Sequence, residues 1–239
     1  SSEKTETART FMRAVPTLLA ADLRGSRPVL SSEGPERTVK KRYQSEQSRS
    51  NRATGDDDAP TIWRRSKPIR GTLAETYLIE RRRIPRPACG WPTSIRFDPA
   101  TRSLVAALMD AQHEVVAVEL VELGEDSRAI NEAKTRSGDT KAIPRLVGIP
   151  NGAVVRFNGS DGKPLCIVRS VEAALVIWSV AGACEVWATL GSFAYLNLPK
   201  DRRIVVCHDD YPPFGGYRRS ARLAVEGLIG QGFDVVEAH

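Results

Sequence analysis

The sequence predicts an α/β fold, in which helices flank a parallel sheet in the last third of the chain. One observation is the alternation of short apolar runs with helical patterns from Leu165 onwards. Continuous apolar runs are typical of strands buried on both faces, and their alternation with helices favours βαβ units. A second observation is that polar residues follow two of these runs, at Arg169-Ser170 and at His208-Asp209-Asp210. Since ligands bind at the carboxyl ends of parallel strands, the two polar ends predict one shared site.

The predicted parallel unit covers residues 164–239. Glycines at 215–216, 230 and 232 mark the two ends of its second helix. In chain order we predict strand 165–168, helix 172–181, strand 185–190, strand 204–207, a basic helix from 215 to 230 and strand 234–237.

Residues 60–163 are predicted to form a mixed α+β segment. Thr72, with Glu75 three positions later, is a capping box that begins a helix, and Pro85 ends it. Two apolar runs, 104–109 and 115–123, are joined by a tight turn and predict a β-hairpin. Strands are also expected at 95–97 and 154–157, whereas the polar stretch 131–146 is predicted to be a loop.

Residues 1–59 are predicted to be a disordered or weakly helical arm. The stretch from Thr7 to Leu23 has the apolar spacing of one short helix, interrupted at Pro16. From Arg24 to Ala59 the chain has too few apolar residues to offset the entropy lost on ordering. The acidic triplet at 56–58 is therefore interpreted as part of a solvated linker rather than as a metal site.

The basic residues are concentrated in one segment. The formal net charge of the 239 residues is +6, and residues 61–100 carry nine Lys or Arg but only three Asp or Glu side chains. A patch of this kind attracts phosphate backbones, although a solvated helix face is the commoner origin. We therefore expect contact with nucleic acid, and single-stranded DNA or RNA as the partner.

The four cysteines predict neither a zinc site nor a disulfide framework, because none of them forms a C-x-x-C pair. Cys166 and Cys207 lie in predicted buried strands, where a thiol behaves as a small apolar group. No apolar run is long enough to span a bilayer and no signal peptide is visible, so no membrane association is expected. A cytoplasmic location is the resulting expectation.

Several short motifs point to one family. They are Lys67-Pro68-Ile69-Arg70-Gly71-Thr72, Ala74-Glu75, Tyr77-Leu78, Ile95-Arg96-Phe97-Asp98-Pro99, Leu104-Val105-Ala106, Glu172-Ala173-Ala174-Leu175 and Val205-Val206-Cys207-His208-Asp209. The last two resemble the motifs of the Toprim domain, the fold shared by bacterial primases, type IA and type II topoisomerases and overcoming-lysogenization-type nucleases. The chain from Trp63 to Glu237 resembles more closely the primase-like Toprim proteins of plasmids, phages and integrated elements.

The resemblance implies Mg²⁺-dependent nucleotidyl transfer, as in primer synthesis, and a role in the replication or maintenance of a mobile element. In the family, a glutamate followed by glycine ends the first strand and acts as general acid/base, and an Asp-x-Asp motif holds Mg²⁺. Here Arg169 and Ser170 occupy the first motif, and Tyr211 stands at the second aspartate, after Asp209 and Asp210. These departures predict that nucleotidyl transfer is impaired.

Glu172, Asp209 and Asp210 are the candidate catalytic and metal-binding residues. Each lies at or just after a strand end, and Mg²⁺ is usually held by one or two carboxylates with waters and phosphates. The two aspartates are equally well explained as caps of the loop after a buried strand. Arg169 cannot be a general base, because a guanidinium stays protonated; we expect it to pair with Glu172 or Asp209, or to hold a phosphate.

Nine basic residues are candidates for nucleic-acid binding, although those on the basic helix are more simply explained as solvated surface. The nine are Lys67, Arg70, Arg81, Arg82, Arg83, Arg169, Arg218, Arg219 and Arg222. Two functions of different classes stay open: a primase-type enzyme with a rearranged site, and a non-catalytic module that binds nucleic acid or protein. A helicase or other replication protein is a further expected partner, as a separate chain.

Overall fold

The computed structural model describes residues 58–134, 140–159, 163–181, 184–190, 196–207 and 215–238, with the backbone alone for residues 134 and 215–221. The predicted arm at residues 1–59 lies outside this range except for its last two residues. Asp209 and Asp210 also lie outside the described residues.

The described residues contain both helices and strands, so the predicted α/β class is confirmed in its broad form. The helices are α1 (Ala59–Arg65), α2 (Leu73–Thr76), α3 (Val171–Ala181) and α4 (Gly215–Gly230), and a π-helical turn spans Tyr77–Arg81. The strands are β1 (Lys67–Pro68), β2 (Ile95–Asp98), β3 (Ser103–Met109), β4 (Val115–Glu122), β5 (Glu132–Lys134), β6 (Thr140–Ala142), β7 (Arg145–Gly148), β8 (Val155–Phe157), β9 (Leu165–Val168), β10 (Glu185–Ala188), β11 (Ile204–Cys207) and β12 (Val235–Ala238).

The first half of the described chain forms an antiparallel sheet with the strand order β1-β2-β3-β4-β7. β3 and β4 are the predicted hairpin, and their turn is closed by the Asp110 carboxylate, which accepts hydrogen bonds from the N–H groups of Gln112 and Glu114 at 2.9 and 3.0 Å. The prediction of a loop at residues 131–146 is wrong, because this stretch contains the β5–β6 pair and the start of β7. These strands are only three or four residues long, and β5 and β6 are mostly polar, so apolar periodicity does not reveal them.

The second half forms a sheet with the strand order β12-β11-β9-β10-β8. β9 pairs in parallel with both β10 and β11, and β11 pairs in parallel with β12. From β9 the chain thus proceeds to one neighbour, β10, and later to the other, β11. In doubly wound sheets ligands bind where the strand order reverses in this way, outside the carboxyl ends of the strands. Here that place is the segment after β9.

β8 pairs antiparallel with β10 and forms one edge of the second sheet, although it precedes residue 164. The division of the chain at residues 163 and 164 remains a prediction.

One apolar core joins the two sheets. It contains side chains from the first sheet, from α3 and from the parallel strands. Phe157 and Trp178 pack edge to face with their ring centroids 6.0 Å apart, and the Trp178 indole N–H donates to the carbonyl of Gly90 at 3.0 Å. α3 is therefore fixed to the loop that follows the π-helical turn.

Candidate functional site

A cleft of about 190 Å³ lies where the segment after β9 faces the first sheet. Its charged lining residues are Glu119 from β4, Lys141 from β6, and Arg169 and Glu172 from the segment after β9. This is the sheet edge at which the sequence predicted a site.

Ser170 caps the N-terminus of α3 and thereby fixes the position of Glu172 in its first turn. The Ser170 hydroxyl oxygen accepts a hydrogen bond from the N–H of Ala173 at 3.2 Å, which is the geometry of a helix N-cap. Glu172 consequently lies in the first turn of α3, where the helix dipole stabilises a carboxylate. The serine that stands where the resembled family has glycine thus has a structural role.

Two side chains from the π-helical turn and its end hold the Glu172 carboxylate. Arg82 forms an ion pair with Oε2, and the Tyr77 hydroxyl donates to Oε1 at 3.2 Å. The backbone N–H of Arg82 bonds to the carbonyl of Tyr77, five residues earlier, which is the π-helical pattern. The wide turn therefore directs Tyr77 and Arg82 to the same carboxylate.

The electrostatics of this cluster favour a charged Arg82 and a neutral Tyr77. Burial lowers the pKa of Arg82, but the neighbouring Glu172 carboxylate outweighs this and raises the pKa above its ordinary value. Burial, and then the negative charge of Glu172, raise the pKa of Tyr77, so its hydroxyl keeps the proton that it donates. Both carboxylate oxygens of Glu172 are therefore engaged by protein donors.

Glu119 is the second carboxyl group of the cleft, and the sequence analysis missed it. Burial raises the pKa of Glu119 to about 7; the charge of Glu172 adds to this rise, and Lys141 opposes it. A carboxyl group with this pKa can exchange a proton near neutral pH, as general acid–base groups do. The sequence signal that could have revealed Glu119 is its position as a charged residue inside the largely apolar strand from Val115 to Glu122.

Of the predicted catalytic and metal-binding residues, the structure places Glu172 in the cleft, beside Arg169. The convergence of Asp209 and Asp210 on Glu172 stays a prediction, since both lie outside the described residues. Within the described ranges, no group of three or more His, Cys, Asp or Glu side chains is arranged to hold a metal ion.

The three consecutive arginines after α2 differ in their surroundings. Arg81 is exposed and donates to the backbone carbonyl of Asp126 at 2.9 Å. Arg82 is half-buried against Glu172. Arg83 is exposed and has a φ of 58°. Of the three, Arg82 is thus already committed to a carboxylate.

The remaining nucleic-acid candidates lie in two other places. Lys67 and Arg70 are exposed beside the β1–β2 edge of the first sheet. On α4, Arg222 is exposed and pairs with Glu226 one turn later at 2.9 Å. The side chains of Arg218 and Arg219, on the same helix, lie outside what the structure describes.

A comparison with protein families finds one match, which lies in the middle of the chain. The model of a domain of unknown function, DUF7146, matches residues 53–157. That range includes the whole antiparallel sheet and ends at the last residue of β8. No curated protein matches the chain significantly. No helix in the described part of the chain is long and apolar enough to cross a membrane.

Two solved structures similar to the chain are primase fragments. The primase fragment of the bacteriophage T7 primase-helicase protein is 12% identical, with 61% of this chain and 56% of that chain covered and a TM-score of 0.34. The Aquifex aeolicus primase, with its zinc-binding and RNA polymerase domains, is 17% identical, with 84% and 50% covered and a TM-score of 0.37. The chain thus spans about half the length of the structures it matches. TM-scores this low carry no argument about activity, so the functional inference rests on the chain's own residues.

Proposed function

We propose that the chain is a nucleic-acid-binding protein with a Toprim-like, primase-related C-terminal unit, in which Mg²⁺-dependent nucleotidyl transfer is impaired. One observation supports the proposed impairment: the carboxylate of Glu172 is already bonded to Arg82 and Tyr77. A metal-dependent phosphoryl-transfer site needs carboxylates that can bind the ion.

The described residues of the cleft do not fit a Mg²⁺ ion. Besides Glu119 and Glu172, the cations Arg82, Lys141 and Arg169 lie in or against the cleft. A Mg²⁺ ion about 5 Å from a unit positive charge is repelled by on the order of 7 kcal/mol at an effective dielectric constant near 20. We therefore propose that any Mg²⁺ site formed with Asp209 and Asp210 is weak.

The Toprim-like assignment is supported by the order and direction of the strands. β9 lies between β10 and β11 and pairs in parallel with both, and the two motifs that resemble the family follow β9 and include the end of β11. The proposed domains are accordingly residues 60–163 and 164–239. A role in the replication or maintenance of a mobile element, a helicase partner and a cytoplasmic location belong to the same proposal.

Nucleic-acid binding is supported by the distribution of charge. Residues 61–100 carry a large excess of Lys and Arg, and Lys67, Arg70, Arg81 and Arg83 are exposed. Exposed cations bind phosphates without regard to sequence, and binding weakens as salt rises. Single-stranded DNA or RNA is the proposed ligand.

The proposal is tested by measuring Mg²⁺ and Mn²⁺ binding by calorimetry, with and without single-stranded DNA, together with primer synthesis and strand cleavage. The wild type should bind single strands and show almost no turnover. The triple variant Arg169→Glu, Ser170→Gly, Tyr211→Asp should bind Mg²⁺ more tightly, because a carboxylate replaces a cation. Wild-type turnover that Asp209→Ala abolishes would contradict the impairment. If the chain binds neither metal nor nucleic acid, the result favours the alternative function, a protein-binding module.

A further inference from the structure

A second cleft, of about 410 Å³, lies between the β1–β2 edge of the first sheet and the loop at residues 86–93. Its volume falls in the range of small-molecule sites, roughly 300–1,000 Å³. Ile69, Ile95 and Trp91 supply apolar lining. Among the described residues, its charged lining consists of three arginines, Arg70, Arg86 and Arg96, and one carboxylate, Glu75. The cleft thus combines positive charge with an indole ring.

Glu75 links two sides of this cleft, the turn at Gly71 and the loop at residues 86–93. Its side chain is 8% exposed, and its carboxylate accepts hydrogen bonds from the Gly71 N–H at 2.8 Å, the Trp91 indole N–H at 2.9 Å and Arg86 Nε at 3.0 Å. The predicted capping box is therefore modified, because Glu75 reaches the N–H of Gly71 rather than that of Thr72. Burial raises the pKa of Glu75, but these hydrogen bonds outweigh it and hold the pKa below its ordinary value.

Two of the three cations of the cleft are oriented in advance by contacts within the protein. Arg86 is anchored through Nε while its side chain remains 61% exposed. The Arg96 guanidinium lies 3.9 Å from the centroid of the Trp63 ring and donates to the Trp63 carbonyl at 3.3 Å. Arg70 is exposed and forms no hydrogen bond or ion pair within the part of the chain that the structure describes. Because Glu75 offsets only one of the three arginine charges, the described lining of the cleft keeps a net positive charge, and the exposed part of Arg86 still contributes to it.

We propose that this second cleft binds one unstacked nucleotide of a single-stranded nucleic acid, with Trp91 stacking on the base and Arg70 and Arg86 contacting the flanking phosphates. Positively charged grooves with aromatic side chains bind single strands in this way, without strong sequence preference. A duplex is disfavoured because its bases are stacked and paired and cannot enter a cleft of this size. An acidic peptide would use the arginines but would gain nothing from stacking on Trp91. The inference rests on the proposed nucleic-acid binding and gives it a location.

The test uses the full chain and a fluorescein-labelled oligothymidylate of about twelve nucleotides, with anisotropy measured at several salt concentrations. The double variant Arg70→Gln, Arg86→Gln should bind about tenfold more weakly or worse. It should also flatten the slope of log affinity against log salt by about 1.4, which is roughly 0.7 for each phosphate contact removed. The matched control is Arg102→Gln, Arg128→Gln, which removes two exposed arginines outside the cleft and should change the slope little.

Variants at Trp91 distinguish its proposed stacking on a base from its structural role as a hydrogen-bond donor to Glu75. Trp91→Phe keeps an aromatic face but loses the hydrogen bond to Glu75, whereas Trp91→Leu loses both. Trp91→Leu should weaken binding about fivefold with an unchanged salt slope, and Trp91→Phe should retain most of the affinity. Thermal unfolding confirms that each variant is folded, and Arg70→Gln alone gives a second measurement in which no described contact is lost.

Three results would overturn the inference. If the cleft variants bind as tightly as the control pair, with the same salt slope, the cleft is not the binding site, although the proposed nucleic-acid binding still stands. If the wild-type chain does not bind the oligonucleotide, both the binding site in the cleft and the proposed nucleic-acid binding are wrong. Polyglutamate or duplex DNA that displaces the oligonucleotide at equal charge concentration would show that the surface recognises charge alone.

Discussion

Glu172 shows how much the role of a carboxylate depends on a neighbour that is distant in the sequence. Its position in the first turn of a helix after a buried strand was predictable, because Ser170 and the apolar run Leu165–Val168 mark both elements. Its partners Arg82 and Tyr77 come from about 90 residues earlier in the chain. Nothing in the row of three arginines distinguishes Arg82 from Arg81 and Arg83, so this pair could not be predicted.

The Arg82–Glu172 pair should contribute measurably to the free energy of unfolding. The two side chains are only 25% and 26% exposed, so we expect a double-mutant cycle with Arg82→Gln and Glu172→Gln to give a coupling of about 1–2 kcal/mol. The control is the cycle for Arg222 and Glu226, which are 78% and 54% exposed and should couple by less than about 0.5 kcal/mol. Equal coupling in urea unfolding would show that Arg82 is an ordinary surface cation.

The raised pKa of Glu119 predicts that the stability depends on pH. The folded state holds the proton up to about pH 7, whereas the unfolded chain releases it near the ordinary glutamate pKa of 4.5. Stability is therefore lost as the pH rises from about 4.5 through 7. Glu119→Gln removes this loss, so its stability relative to wild type should rise between pH 5 and pH 8 by up to about 2 kcal/mol. Thermal unfolding at several pH values measures the gain, with the exposed Glu114→Gln as a control. A gain that does not change with pH would contradict the prediction.

At the scale of elements, continuous apolar runs predicted strands well and polar strands poorly. β9 and β11 begin and end where the sequence indicated, because each is a run of four buried apolar residues. The β5–β6 pair and β7 were missed, since most of their described side chains are exposed or half-buried. The acidic triplet at 56–58, interpreted as a solvated linker, ends in the N-cap of α1: the Asp58 carboxylate accepts a hydrogen bond from the Thr61 N–H at 2.8 Å.

α1 packs on the first sheet through apolar side chains and through a part-buried ion pair, and removal of the ion pair should be costly. Arg65 donates from Nε and Nη2 to the two oxygens of Asp98 at 3.0 and 2.8 Å, and the Asp98 side chain is fully buried. Asp98→Ala removes the acceptor for Arg65, the Ala100 N–H and the Thr101 hydroxyl, so we expect a loss of about 2–4 kcal/mol in the free energy of unfolding. Asp126→Ala, which breaks the exposed pair with Arg128, should cost less than about 1 kcal/mol. Similar losses for the two variants in urea unfolding would contradict this account.

At the scale of the whole molecule, strand pairing and core contacts cross the boundary predicted at residues 163 and 164, and the division itself remains a prediction. The unit at residues 164–239 was inferred from the alternation of strands and helices, which is a local pattern. The antiparallel partner of β10 comes from before that unit, and a pairing between strands that are far apart in the sequence leaves no periodic signal. The core that includes Phe157 and Trp178 likewise joins residues from both halves.

The edge position of β8 has a consequence for any attempt to produce the parallel unit by itself. A fragment that begins at residue 164 lacks β8, so it uncovers the backbone of β10 along Val186–Ala188, where β8 would otherwise bond. An uncovered apolar edge invites pairing with another copy. We expect this fragment to self-associate in light scattering, and a fragment that begins at residue 150, and so keeps β8, to do so less. We therefore expect the smallest fragment that stays monomeric to begin before β8, and so before residue 164, where the alternating pattern of strands and helices begins.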